Sequence, residues 1–121
     1  MIDRRALLAA LLAVAARTAL ASADELEQAR IERLIRFVET QKRMVFIRNG
    51  KDHSSQEAAL FLRAKYAKMG AHVTTAAQFI DQIASRSSTT GEIYKVRLQD
   101  GRTLPAAKVL RDELARMDRD R

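Results

Sequence analysis

The stretch VFIRNGKDHSSQEAALFLRAKY, residues 45–66, places the tightest limits on how this chain can fold. Val45, Phe46 and Ile47 are contiguous β-branched or aromatic residues, which suit a short buried strand. Asn49-Gly50 follows at once, and both residues tolerate positive φ, so the pair predicts a tight turn of the type I′ hairpin kind. Ser54 stands three residues before Glu57. That is capping-box spacing: the hydroxyl accepts from an early helix N–H and the carboxylate reaches back. Ala58, Phe61, Leu62, Lys65, Tyr66 and Met69 then share one helical face, with the Lys65 stem lying along it. Gly70 is expected to end this helix in the left-handed conformation.

The N-terminus constrains the compartment. Arg4-Arg5 precedes an uncharged apolar run over 6–16, and small residues at 19–23 follow. This is the order of a secretory signal peptide, and the run is too short to span a bilayer. The expected division is therefore a signal peptide over 1–23, cleaved after Ala23, and one domain over 24–121. Localisation is then periplasmic, with no transmembrane span in the mature protein. The absence of cysteine excludes disulfides, cysteine-held metals and a lipid anchor, so stability must come from the core. The net charge of +7 is scattered along the chain, and with an export signal it points to a basic surface rather than to nucleic acid.

Downstream of the signal, residues 24–43 read as an amphipathic helix. Ile31, Leu34, Ile35 and Val38 form its stripe, which Leu26 is expected to begin, and Phe37 lies off it. Thr75 and Gln78 repeat the capping spacing before Ala76, Phe79, Ile80, Ile83 and Ala84, a helix expected to run to about Ser85. The pair of helices around 70–75 resembles a DNA-reading helix-turn-helix only superficially, because the second helix offers Thr, Gln and the acidic Asp81. A loop with five hydroxyls spans 85–91, and 93–98 alternates as a half-buried strand. Asp100-Gly101 marks a hairpin turn, 102–104 a returning strand, and Pro105 the first turn of a last helix buried through Val109, Leu110, Leu114 and Met117. The fold class is α+β, with about four helices and a small antiparallel sheet of two to four short strands. Pairing of the strand at 45–47 with that at 93–98 is one option among several.

Read in order, FIRNG (46–50), His53, EAA (57–59), LRAKY (62–66), TAAQFIDQIAS (75–85), SSTTG (87–91) and Tyr94 resemble the YfeK-like family of small exported bacterial proteins, a domain of unknown function. The resemblance runs from about Ile31 onward. It implies a periplasmic single-domain protein and brings with it no activity, ligand or catalytic residue. The chain departs from the family pattern at Phe61, where His is usual, and at Glu92-Ile93, where Lys-Pro is usual.

The residues bear on three chemistries. His53 and His72 are far apart and lack metal-ligand spacing, so no metal or other cofactor is expected. No nucleophile elbow is present, and the sequence points away from an enzyme; the alternative is a weak hydrolase pairing His53 with a serine of 85–91. The leading candidate is a binding site for an anionic or polar envelope ligand, or for another envelope protein. Arg48, Arg63 and Lys65 would supply charge, with Asn49, His53, Ser85, Ser87, Ser88, Thr90 and Tyr94 supplying hydrogen bonds. Exposed amides at the Asn49-Gly50 turn, the Ser54 helix start and the 87–91 loop would assist. The competing explanation is structural: Arg63 paired with Asp81 or Glu57, and the hydroxyls spent as caps.

Overall fold

A computed structural model describes residues 24–120. The expected signal peptide at 1–23 lies outside the described residues. The described residues fold as α+β, with four helices against a four-stranded antiparallel sheet.

The sheet grows from the 45–66 stretch. Strand β1 (Val45–Arg48) turns through Asn49 (φ 51°) and Gly50 (φ 76°) into β2 (Lys51–His53), so the turn is the two-residue hairpin that the pair predicts. The other side of β1 pairs with β3 (Lys95–Arg97), Phe46 opposite Val96. Strand β4 (Thr103–Pro105) completes the order β2-β1-β3-β4. His53, Phe46, Val96 and Leu104 stand in one row across the sheet. Arg48, two residues from Phe46, shares their face.

The helices cover that face. Helix α1 is described from residue 24 and ends at 40, and Ile31, Leu34, Ile35 and Val38 are all buried. Helix α2 (Ser55–Met69) starts on Ser54, whose Oγ accepts from Glu57 N–H at 3.1 Å while the Glu57 carboxylate accepts from the Ser54 hydroxyl at 3.2 Å. Helix α3 (Ala76–Gln82) starts on Thr75, whose Oγ1 accepts from Gln78 N–H at 3.1 Å. The Gln78 side chain reaches one residue further back than a capping box requires, to Thr74 N–H at 2.8 Å. Helix α4 (Ala106–Arg119) follows β4 with Pro105 as its N-cap, one place before the first-turn position expected. The main core joins the helices around Phe79, Leu34, Ile35, Ile80 and Ile83, each worth roughly 1.5–3 kcal/mol on burial. A smaller cluster of Tyr94, Val96 and Ala106, with Phe46, Phe61 and Val109 against it, joins sheet to helices.

Several expectations are corrected. Helix α1 stops at 40 rather than 43, where the Thr40 hydroxyl takes the Phe37 carbonyl at 2.9 Å. Leu26 does not begin the stripe and is 57% exposed, because five residues set it roughly 140° from Ile31 around the helix. Helix α3 ends at Gln82 because Ala84 N–H reaches back to Phe79 and the Ser85 hydroxyl takes the Ile80 carbonyl at 2.6 Å. The strand expected over 93–98 is ladder-paired only over Lys95–Arg97, since Tyr94 N–H is used by the Ser85 carbonyl and Glu92 C=O by Ser87 N–H. Met69 is exposed, the last turn of α2 having outrun the core. Gly70 is not left-handed (φ −89°, ψ 14°). Glycine is required there by close approach instead: a Cβ would lie 2.4 Å from the Tyr66 carbonyl oxygen and 2.8 Å from its ring.

Gly70→Ala is accordingly expected to cost about 1–3 kcal/mol, visible as a lower urea midpoint with an unchanged m value. A neutral result would mean that the Tyr66 carbonyl and ring yield freely.

Candidate functional site

Helix geometry sorts the three candidate cations. Phe61 and Lys65 are four residues apart and share a face of α2, whereas Arg63, two residues from each, projects elsewhere. Arg63 forms a fork with Glu32 of α1, at 2.8 and 2.6 Å, and the guanidinium holds the Glu32 carboxyl below the usual carboxylate range. Neither Asp81 nor Glu57 takes that role: Asp81 meets Arg111, and Glu57 meets Ser54 and His53. Arg63 thus lines a cleft between α1 and α2, separate from the one that Arg48 lines.

Arg48 lies on the inner sheet face with its guanidinium 4.0 Å from the centre of the Phe61 ring. Phe61 in turn packs edge-on against Tyr94 at 5.9 Å. Lys65 is only 7% exposed and donates to the Arg86 carbonyl at 2.8 Å and to the Tyr94 hydroxyl at 3.0 Å. Burial, with the neighbouring Arg48 charge, pulls the Lys65 pKa below the ordinary lysine range; burial pushes that of Tyr94 up. The phenol therefore stays neutral, and both Lys65 partners are uncharged oxygens. Among the described residues, no carboxylate lies within ion-pair distance of Arg48, Lys65 or Lys68. All three cations line one open groove of about 310 Å³, together with Ser87, Ser88, Thr89 and Tyr94.

The Asn49 turn and the 87–91 loop meet beside this groove. Thr90 donates its hydroxyl to Asn49 Oδ1 at 2.6 Å, and Asn49 Nδ2 points to Ser87 Oγ at 3.4 Å. Ser87 is the buried hub of the loop, accepting from Thr89 and Thr90 N–H. The N–H groups of residues 87, 89, 90, 91 and 92 are all used within the loop, which leaves fewer amides for a ligand than the sequence promises. Ser85 is a helix-end cap through Ile80, away from the groove lining. Ser88 is exposed and reaches Met69 Sδ at 3.5 Å. His53 Nδ1 meets Glu57 at 3.2 Å, and no hydrogen bond joins His53 to a serine of 85–91 among the described residues.

A second feature has no signature in the sequence. An apolar cavity of about 320 Å³ lies between the inner sheet face, α2 and α4, walled by Phe46, Phe61, Val96, Val109 and Leu110. His53 borders it, and its Nε2 is buried without a partner. A row of Phe46 and Val96 in the sheet sequence hints at an apolar floor, but the void exists only once α4 is packed.

With the site in place, comparison with known proteins fixes the family. Residues 25–118 match a family of unknown function, DUF5329. The chain belongs to that family. A family relative is the uncharacterized protein YfeK of Salmonella typhimurium (strain LT2), 41% identical over 68 residues. That alignment spans 56% of this chain and 57% of YfeK, so the two are matched over little more than half their lengths. No solved structure matches. Among the described residues, no helix is long and apolar enough to cross a membrane, and no group of three or more His, Asp or Glu is placed to hold a metal ion.

The Lys65 ammonium is expected to titrate below ordinary lysines in a 13C-resolved NMR titration. Arg48→Gln should move it back up by removing the adjacent charge. The sign for stability follows: the folded chain gives up this proton before the unfolded one does, so the Lys65 contribution to stability rises with pH across that interval. An ordinary lysine titration unaffected by Arg48→Gln would contradict the packing described.

Proposed function

We propose that residues 24–121 act as an exported, periplasmic binding domain that recognises an anionic group of an envelope component through Arg48 and Lys65. Lys68 and the Ser88 and Thr89 hydroxyls form the rim of the seat. The observation that carries this reading is the closeness of two cations, half-buried Arg48 and buried Lys65, with no carboxylate within ion-pair distance of either among the described residues. A buried, uncompensated charge is costly, and a bound carboxylate or phosphate relieves the cost. Arg63, counted with them from the sequence, has no part in the seat, because Glu32 already satisfies it. Export is supported by the basic, apolar and small-residue order of 1–23. Hydrolysis by His53 and a loop serine draws less support, since no hydrogen bond joins His53 to a serine of 85–91 among the described residues and other partners engage Ser85, Ser87 and Ser88.

Calorimetric titration with phosphate monoesters and small carboxylates tests the reading. Binding that weakens at least tenfold (about 1.4 kcal/mol) in Arg48→Gln, with Arg63→Gln close to the parent chain, is the expected pattern. Equal binding by the parent and Arg48→Gln, or no saturable binding, would refute it. For export, mass spectrometry of protein from the periplasmic fraction should find Asp24 as the first residue.

A further inference from the structure

The groove that carries Arg48 and Lys65 does not stand alone. Arg48, Phe61 and Tyr94 belong both to its lining and to that of the apolar cavity under the sheet. The edge-on Phe61–Tyr94 pair, with Arg48 above Phe61, is therefore a wall shared by the cationic groove and a mainly apolar cavity. The cavity, at about 320 Å³, falls at the low end of the range typical of small-molecule sites, about 300–1,000 Å³. Its walls are side chains of Phe46, Val96, Val109 and Leu110, which fits a saturated chain better than a sugar. Leu60, 68% exposed on α2, also borders it and gives the opening an apolar lip. An exposed leucine beside a mainly apolar void is surface that a hydrocarbon would cover, although Glu57 and Lys95 also border the cavity.

We propose that the ligand is a single-chain anionic amphiphile, whose head is held by Arg48 and Lys65 and whose hydrocarbon tail fills the cavity beyond Phe61 and Tyr94. The proposal rests on the groove being an anion seat and adds the class of molecule that the seat receives. Charge complementarity fixes one end of this molecule and the apolar void fixes the other. A purely polar anion leaves the void unused, and an uncharged hydrocarbon leaves the two cations unbalanced. Binding energy from the tail grows with each methylene withdrawn from water, about fourfold in affinity per group while the void still has room.

The test uses butyl phosphate, decyl phosphate and decanol, each below its aggregation concentration, titrated into residues 24–121 by calorimetry. Val109→Trp and Ala58→Leu fill the cavity from α4 and from α2 without touching Arg48, and circular dichroism checks their folding; either suffices if the other fails to fold. Decyl phosphate should bind at least tenfold more tightly than butyl phosphate. The filled variants should erase that advantage while leaving butyl phosphate binding in place, and Arg48→Gln should weaken both phosphates. Equal affinity for the two phosphates, or an advantage that survives both folded variants, would overturn the tail site and leave the anion seat standing. Decanol binding as tightly as decyl phosphate, with Arg48→Gln silent, would overturn the anion seat and with it the amphiphile, leaving only an apolar cavity.

Discussion

The pairing of β1 with β3 is the contact on which the rest of this structure depends. It sets Phe46 opposite Val96 and thereby carries the Asn49 turn to the 87–91 loop, two regions remote in sequence. Everything on the inner face follows from that register. Arg48 reaches Phe61, Tyr94 meets both Phe61 and Lys65, and α4 closes over the row. A shift of one residue would send Arg48 to the outer face and turn Ile47 inward. The apolar demands of Phe46 and Val96 therefore hold the polar site in place.

Local chemistry was legible in the sequence wherever a short segment decides its own conformation. Asn49-Gly50 both adopt positive φ, Ser54 and Thr75 both cap helices, and the Ile31–Val38 stripe is buried as its spacing requires. Gly70 shows the limit of that logic. Its position was legible but its reason was not, because the need arises from the Tyr66 carbonyl and ring rather than from φ. The candidate site was legible in the same partial way. Arg48, Asn49, Lys65, Ser87, Ser88, Thr90 and Tyr94 come together around the hairpin and the loop. Arg63 does not, and the two-residue offset from Lys65 on one helix already contained that answer. The cavity could not be read at all, since α1, the sheet, α2 and α4 all contribute to its walls.

The two arginines of the 45–66 stretch illustrate how differently one side chain can be used. Arg63 is spent holding α1 to α2 through a two-bonded fork with Glu32, a half-exposed pair that adds geometry more than energy. Arg48 rests on an aromatic face, a contact worth roughly 0.5–2 kcal/mol that leaves its charge unneutralised. Lys65, beside it, keeps its hydrogen bonds but gains no counter-charge among the described residues. The family to which the chain belongs has no assigned role, so this unbalanced pair is the most specific chemical feature from which to seek one.

The outer strands of the sheet have a consequence of a different kind. A small sheet ends in two rows of open backbone groups that invite strands from neighbouring molecules. Here each border strand is only three residues long. One carries Lys51 and Asp52, and the other ends on Pro105, which has no amide proton to donate. Such borders discourage edge-to-edge growth, so crowding alone gives this sheet little opportunity to extend from one copy into the next.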